Sequence, residues 1–299
     1  MHRLLHVLLG AGIAAILAIG GAHASAALYP EILVTEDRFS DEIVGHGPDL
    51  VFIPGLASSR ATWKATADRL GDHYRVHLIQ IAGFAGEAPG ANASGAVVVP
   101  TAEAIDAYLV KQHLTPATVI GHSLGGTITL YLAEHHGDHL KKAMLVDSLP
   151  FFATLMAGDT ATADSMKPRA DAIRANPAAS TGGPMFDKQM ASLAQAPADV
   201  ATIRAWSAAS DSGVVANALA DDLTLDLRPD LATITVPVTL VYPDYTPLDV
   251  PPGATDGQYR GAYAAVPHMA FVLATKSLHF IMLDQPAQFD AALDAFLKR

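Results

Sequence analysis

Residues 117–126 read Ala-Thr-Val-Ile-Gly-His-Ser-Leu-Gly-Gly, and this stretch decides the fold. Its first four residues predict a buried strand, and the apolar periodicity after Ser123 predicts a helix. Between them lies the pattern G-x-S-x-G, which places Ser123 in a sharp strand-to-helix turn. Gly121 and Gly125 avoid the clash of such a turn because they have no side chain. We therefore expect Ser123 at a helix N-terminus, where backbone N–H groups stabilise negative charge. The alternative is a serine that only caps the helix.

The composition limits the classes of function. The chain has 299 residues, 51% hydrophobic and 16% charged, which is enough apolar material for a large core. Its 30 acidic residues outnumber 19 basic ones, so the net charge of −11 disfavours nucleic-acid binding. The absence of cysteine excludes disulfides, thiolate nucleophiles and Cys-based metal sites. No nucleotide-binding glycine motif occurs at a strand–helix turn, so no cofactor is expected.

The N-terminus has the layout of a secretory signal peptide. Arg3 precedes an apolar run from Leu4 to Ile19, and Ala22-His23-Ala24 fits a cleavage site. We predict that residues 1–24 are removed and that the protein is exported, periplasmic or secreted, without stable membrane anchoring. The alternative is a retained membrane anchor, because the apolar run approaches spanning length.

After the N-terminus, predicted strands and helices alternate, which indicates a mostly parallel sheet covered on both faces. Residues 31–37 and 41–47 predict a leading antiparallel hairpin. Residues 151–235 interrupt the alternation with several short helices and no strand pattern. We predict one core from residues 25–150 and 236–299, with residues 151–235 inserted as a helical cap. A separate domain is the alternative for the insertion. The strands and helices predicted within the core are residues 50–53, 61–74, 75–81, 101–113, 117–120, 142–147, 236–242, 269–275 and 285–298.

Four segments together resemble the α/β-hydrolase superfamily, serine esterases in particular. They are VFIPGLASSRATW (51–63), VIGHSLGG (119–126), LVDSLPFF (145–152) and SLHFIMLDQP (277–286). The resemblance covers about residues 45–299, less well within the cap. It implies an α/β fold with an eight-stranded, mostly parallel sheet flanked by helices and an inserted helical cap. It also implies a Ser–acid–His triad in that chain order. Two backbone N–H groups, of Leu56 and Leu124, are expected to form the oxyanion hole.

The general base is expected to be His279, in the loop after the last strand. Family members commonly have Gly-His there; this chain has Leu278-His279, but the following residues fit. His122 lies inside the serine turn and is a poorer candidate. The cluster of His135, His136 and His139 suggests a metal site, but a solvated helix end is the expectation there and no metal is predicted.

The third triad member is left open between two carboxylates. Family members usually place the acid after the seventh strand, where simple alignment puts Thr246, which cannot carry the charge. Asp244 would serve if that loop is re-routed, and Asp249 is a weaker choice. Other members use the end of the sixth strand, which here is Asp147. We favour Asp147, because a charge ending an apolar strand needs a partner; the alternative is that it caps the following turn.

These residues predict a serine hydrolase that cleaves small to medium apolar carboxylic esters through an acyl-enzyme. The partner is then a small-molecule ester. One alternative uses the same triad on lactones, amides, carbon–carbon bonds or in cofactor-free perhydrolysis. Another is a non-catalytic binding member of the fold. The oligomeric state is left open. Five apolar cap residues either line the pocket or hold the cap to the core: Met156, Met166, Met185, Met190 and Trp206.

Overall fold

The computed structural model describes residues 32–251 and 253–299. The predicted signal peptide, residues 1–24, lies outside this part of the chain, so its cleavage stays a prediction. Within the described ranges, no helix combines the length and the apolarity that crossing a bilayer requires.

One sheet of eight strands runs through the described residues, in the order β1-β2-β4-β3-β5-β6-β7-β8. Strand β2 pairs antiparallel with β1 and β4, and every other neighbouring pair is parallel. The predicted fold class and the leading hairpin are therefore confirmed. The strands are β1 (Ile32–Thr35), β2 (Phe39–Gly45), β3 (Asp49–Ile53), β4 (Arg75–Ile81), β5 (Ala117–His122), β6 (Leu140–Val146), β7 (Val238–Pro243) and β8 (Met269–Ala274).

Helices cover both faces of the sheet. Ile105 and Ile128 pack on one face with Val51, whereas Trp63 and Phe296 pack on the other with the neighbouring strand residues. The alternating strand residues are apolar towards both sides, as a parallel sheet covered twice requires. The α-helices of the described ranges are α1 (Lys64–Leu70), α2 (Val98–Lys111), α3 (Leu124–His135), α4 (Thr154–Ala157), α5 (Ala163–Ala175), α6 (Pro184–Met190), α7 (Pro197–Ala209), α8 (Ser212–Thr224), α9 (Ala254–Ala262), α10 (Ile281–Asp284) and α11 (Pro286–Lys298).

The parallel register brings the carboxyl ends of six strands, β3 to β8, to one edge of the sheet. Ile53 pairs with Gly121 across β3 and β5, and His122 pairs with Val146 across β5 and β6. The loops that follow these six strands therefore meet at this edge. In open α/β sheets this is where ligands bind.

The cap segment, residues 151–235, contains α4 to α8 and no strand. It is attached to the rest of the protein through α8, since Val214, Val215 and Ala218 are buried in the main hydrophobic core. A smaller cluster around Phe151 and Leu223 holds the segment together internally. One wall of the cap is therefore continuous with the core of the sheet domain.

The helix predicted over residues 61–74 is shorter in the structure. A 3₁₀ turn, Arg60–Trp63, precedes α1, which ends before Gly71. The backbone N–H of Arg60 donates to Gln80 Oε1 at 2.8 Å, and Ser59 Oγ accepts from Ala61 N. These two side-chain bonds fix a tight turn where helical periodicity alone predicts a continuous helix.

Candidate active site

Ser123 occupies a strained turn between β5 and α3. Its backbone has φ 54° and ψ −121°, a conformation that residues with a side chain rarely adopt. The two flanking glycines make the turn sterically feasible. A Cβ on Gly121 would lie 2.0 Å from the carbonyl oxygen of Gly125, and one on Gly125 would lie 2.3 Å from that of Ile53. The spacing G-x-S-x-G is therefore required by backbone contacts in this protein.

The hydroxyl of Ser123 is not engaged in capping. Although Ser123 is the N-cap of α3, its side chain makes no capping hydrogen bond. The side chain instead lines a cavity together with His279. No hydrogen bond joins Ser123 Oγ to His279 in this structure; hydrogen bonds of this kind are often long in unliganded enzymes and tighten when substrate binds.

The backbone N–H groups of Leu56 and Leu124 have no hydrogen-bond partner among the described residues. Leu124 is the first residue of α3, where helix N–H groups lack an intrahelical acceptor. Leu56 lies in the loop after β3 and lines the same cavity as Ser123. Both predicted oxyanion donors are thus free to donate.

His279 is held by Asp147. The Nδ1 atom of His279 donates to Asp147 Oδ2 at 2.6 Å, so the neutral imidazole keeps Nε2 unprotonated. Asp147 directly follows β6 and is 5% exposed, with a backbone φ of 46°. The structure thus brings together the base and the acid that the sequence analysis favoured.

Two tyrosines, Tyr259 buried and Tyr245 partly buried, complete the surroundings of Asp147. Tyr245 donates its hydroxyl to Oδ2 at 2.6 Å, and Tyr259 donates to Oδ1. Burial alone would raise the pKa of Asp147, but the charge of His279 and these hydrogen bonds outweigh it and lower the pKa. Burial and the Asp147 carboxylate together raise the pKa of both phenols well above their ordinary value. The carboxylate therefore stays charged while the tyrosines stay neutral donors.

Asp244 serves another purpose. Its Oδ1 accepts from Thr246 N at 3.1 Å, from Thr246 Oγ1 at 3.0 Å and from Ser277 N at 3.3 Å. These bonds clamp the loop after β7 to the loop after β8. Asp249, the weaker choice, is exposed, and no hydrogen bond or ion pair joins it to His279. The loop after β7 therefore does not bring Asp244 to His279, whose partner is Asp147.

His122 packs behind His279. Its Nε2–H donates to the backbone oxygen of His279 at 3.1 Å, and its ring packs 4.5 Å from that of His279. Burial, together with the nearby His279, lowers the pKa of His122 to about 3. The neutral imidazole of His122 thus positions the loop that carries His279.

The cavity beside Ser123 has a volume of about 310 Å³, at the lower end of the range for small-molecule sites. Apolar side chains of the cap form much of its wall: Phe186, Met190, Leu193, Ile203 and Leu219. Of the other cap residues singled out in the sequence, Met166 and Trp206 pack against hydrophobic clusters and Met156 is exposed. The side chain of Met185 is outside the described part of the structure.

The histidines near the end of α3 differ in their surroundings. His135 is exposed, whereas His139 bonds Asp106 Oδ1 at 2.8 Å and His136 lies 3.3 Å from Oδ2. The expected solvated helix end is therefore found at His135, whereas His136 and His139 pair with the carboxylate of Asp106. Atoms of Asp106, His136 and His139 that could bind a metal lie within 4.8 Å of one another. The predicted absence of a metal stays a prediction.

Comparisons with known proteins agree with this fold. A family model described as "Alpha/beta hydrolase family" matches residues 50–292. The pimeloyl-[acyl-carrier protein] methyl ester esterase of Vibrio cholerae is 35% identical over 112 residues, which cover 38% of this chain and 41% of that relative. The chain thus spans less than half of the length of this curated relative.

Solved structures resemble the whole fold. The enol-lactonase from Burkholderia xenovorans LB400 has a TM-score of 0.70 at 18% identity, covering 87% of this chain and 96% of that one. An esterase from Exiguobacterium antarcticum has a TM-score of 0.69 at 22% identity, with the same coverage of 87% and 96%. At these identities the likeness establishes the fold.

Proposed function

Because this chain belongs to the alpha/beta hydrolase family, we propose that it is a serine hydrolase that cleaves small to medium apolar carboxylic esters through an acyl-enzyme. One observation carries the proposal: the 2.6 Å bond between His279 and Asp147, at a cavity that Ser123 also lines. A buried carboxylate on Nδ1 sets the tautomer in which Nε2 accepts a proton.

In the acylation step, Ser123 Oγ attacks the ester carbon while Nε2 of His279 takes its proton. The carbonyl oxygen becomes negatively charged and receives hydrogen bonds from the N–H groups of Leu56 and Leu124. Asp147 stabilises the imidazolium without taking its proton. His279 then returns the proton to the leaving alcohol oxygen, and the carbon–oxygen bond of the ester breaks.

In the deacylation step, water replaces the alcohol. His279 removes a proton from this water as its oxygen attacks the acyl carbon, and the same two amides hold the second oxyanion. Collapse of this intermediate breaks the bond to Ser123 Oγ, which regains the proton from His279. The products are a carboxylic acid and the free enzyme.

The cavity supports the choice of substrate class. Its volume of about 310 Å³ and its apolar cap wall suit an uncharged acyl group better than a polymer or a peptide. The Vibrio cholerae relative is named as a methyl ester esterase, which favours ester chemistry here. Since the match spans only 41% of that relative, its acyl-carrier substrate is not carried over.

We retain export as part of the proposal. Residues 1–24 have the charge, apolar run and cleavage site of a signal peptide. Expression of the full chain in a Gram-negative host, followed by cell fractionation and mass measurement, tests it. A periplasmic or secreted product that begins at Ser25 is expected, and an uncleaved membrane-bound chain would contradict export.

Active-site labelling and an ester panel test the enzymatic proposal. A fluorophosphonate probe should label the wild-type protein and fail to label Ser123→Ala. A series of p-nitrophenyl esters of increasing chain length should then give measurable kcat/KM for short and medium acyl chains. Labelling without ester turnover would exclude the esterase function, and absence of labelling would exclude a nucleophilic Ser123.

A further inference from the structure

A second, smaller cavity of about 40 Å³ adjoins the catalytic serine. Ser123 and His279 line both cavities, whereas Leu56 lines only the larger one. The smaller cavity also borders Asp147, the partner of His279. Under the proposed function, the acyl oxygen must face Leu56 and the leaving oxygen must face His279. The smaller cavity therefore lies on the side of the departing alcohol.

Two buried polar side chains in this small cavity lack full hydrogen bonding. Ser148 is 6% exposed, and its Oγ has no partner among the described residues. Asp222 is 8% exposed and lines both cavities; its Oδ1 accepts from Thr127 Oγ1 at 3.0 Å, and Oδ2 makes no hydrogen bond within the described ranges. Buried polar groups are nearly always satisfied, so the unpartnered hydroxyl of Ser148, close to a carboxylate with an oxygen left to bond, indicates a ligand beside the catalytic centre.

The carboxyl of Asp222 selects among ligand groups. Burial, with a contribution from Asp221, raises its pKa to about 7, so both the acid and the carboxylate are populated near neutral pH. An ether or carbonyl oxygen bonds only to the acid, and an ammonium group pairs only with the carboxylate. A hydroxyl both donates and accepts, so it bonds to Asp222 in either state and also to Ser148.

The size of the small cavity limits the group that carries the hydroxyl. A water-sized group needs about 10–15 Å³ of such space, so 40 Å³ holds roughly three non-hydrogen atoms. Two carbons and one oxygen, counted from the ester oxygen, fill it.

We propose that Asp222 and Ser148 form a hydroxyl-binding subsite that selects esters of small diols, with a 2-hydroxyethyl group or one of similar size as the alcohol part. This inference rests on the proposed function and specifies its substrate. Asp222 and Ser148 determine specificity in it; they take no part in the proton transfers.

The test compares 2-hydroxyethyl and propyl esters of one acid, chosen as the best acyl group of the p-nitrophenyl panel. The two alcohols differ only in a hydroxyl against a methyl group. Wild type should favour the hydroxyethyl ester by at least about tenfold in kcat/KM, the effect of one or two net hydrogen bonds. Asp222→Leu should bring the ratio to one or below, and Asp222→Asn should retain most of it.

Ser148→Ala is a second variant, which tests the subsite if Asp222→Leu fails to fold. It should lower the ratio of kcat/KM for the hydroxyethyl and propyl esters severalfold. Asp221→Asn is the matched control. Asp221 precedes Asp222 on α8, but its carboxylate bonds Val97 N, Val98 N and Arg174. Its loss should change stability and lower the pKa of Asp222, but the ratio should stay close to that of wild type, because a hydroxyl bonds to Asp222 in either protonation state. A purely structural Asp222 would lower both rates together.

The outcomes separate the two levels of the proposal. A wild-type enzyme that labels at Ser123 and hydrolyses both esters at equal rates overturns the diol subsite alone, as does an unchanged ratio in both Asp222→Leu and Ser148→Ala. A preference for a 2-aminoethyl ester over both would reassign the subsite to cations and overturn the hydroxyl assignment. A protein that neither labels nor hydrolyses either ester overturns the proposed function itself.

Discussion

Nδ1 of His279 lies 2.6 Å from Oδ2 of Asp147, although 132 residues separate them in the chain. Asp147→Asn should therefore lower kcat by about 10⁴-fold, because an amide favours the wrong imidazole tautomer and leaves the imidazolium without its counter-charge. Asp244→Asn should leave kcat close to that of wild type. Steady-state kinetics on both folded, purified variants measures the difference, and the opposite ranking would refute the assignment of the acid.

The tyrosine pair on Asp147 makes a prediction about stability. Tyr259→Phe removes a donor from a buried carboxylate, so the free energy of unfolding at pH 7 should fall by about 1.5–3 kcal/mol. Tyr242→Phe is the matched control, because Tyr242 donates to the half-exposed Asp256. Urea unfolding of both variants makes the comparison. Equal losses of unfolding free energy in the two variants would mean that the hydrogen bond to Asp147 stabilises the protein no more than the one to Asp256.

The space around two glycines predicts opposite effects of a glycine-to-alanine substitution on the stability of the fold. Gly121→Ala puts a Cβ against the carbonyl oxygen of Gly125 and should cost about 3 kcal/mol or more. Gly257→Ala, in α9, has open space around the new methyl group and should stabilise by up to about 1 kcal/mol. Thermal unfolding distinguishes them. A neutral Gly121→Ala would contradict the steric account of the turn.

Glu134 predicts a pH dependence of stability. Both of its carboxyl oxygens are buried without a hydrogen bond among the described residues, and Oε2 has His135 Nε2 only at 4.0 Å; burial followed by repulsion from Asp230 and Asp226 raises the pKa of Glu134 to about 8. The folded state therefore binds this proton more tightly than the unfolded state. Its contribution is complete below the ordinary glutamate pKa and is lost as the pH rises towards 8.

Glu134→Gln should remove the loss of stability that occurs as the pH rises, because a glutamine side chain does not ionise. The melting temperature of the variant relative to wild type should increase steadily between pH 5 and pH 8, as followed by circular dichroism. A difference that is constant over this range would mean that Glu134 is already ionised in the folded protein.

The sequence was sufficient for the fold and for the residues of the turn. Strand β4 has the predicted bounds, 75–81, because its apolar run ends at recognisable turn residues. Ser123 could be identified because a strained turn leaves a trace in the spacing of its glycines. His279 could be identified because the residues after it fit a known family pattern.

Other residues of the candidate site have no pattern in the sequence that would identify them. The choice between Asp147 and Asp244 depended on where two loops lie in space, and both residues end apolar strands. Tyr259 and Asp222 reach the site from helices α9 and α8, where nothing in the local pattern separates them from ordinary helix residues. The resemblance to known hydrolases carries no information about them, because it is weakest in the cap.

Helix α8 makes hydrogen bonds with two neighbouring helices, α2 and α3. Asp221 accepts from the first amides of α2, at 2.6 Å from Val97 N, while Asp222 bonds Thr127 on α3. Polar bonds to two helices consequently hold that side of the pocket, whereas α6 and α7 contribute the apolar side chains of Phe186, Met190 and Ile203. Directed evolution of acyl-chain preference should therefore concentrate its libraries on α6 and α7, where new side-chain volumes leave the alcohol end of the reaction undisturbed.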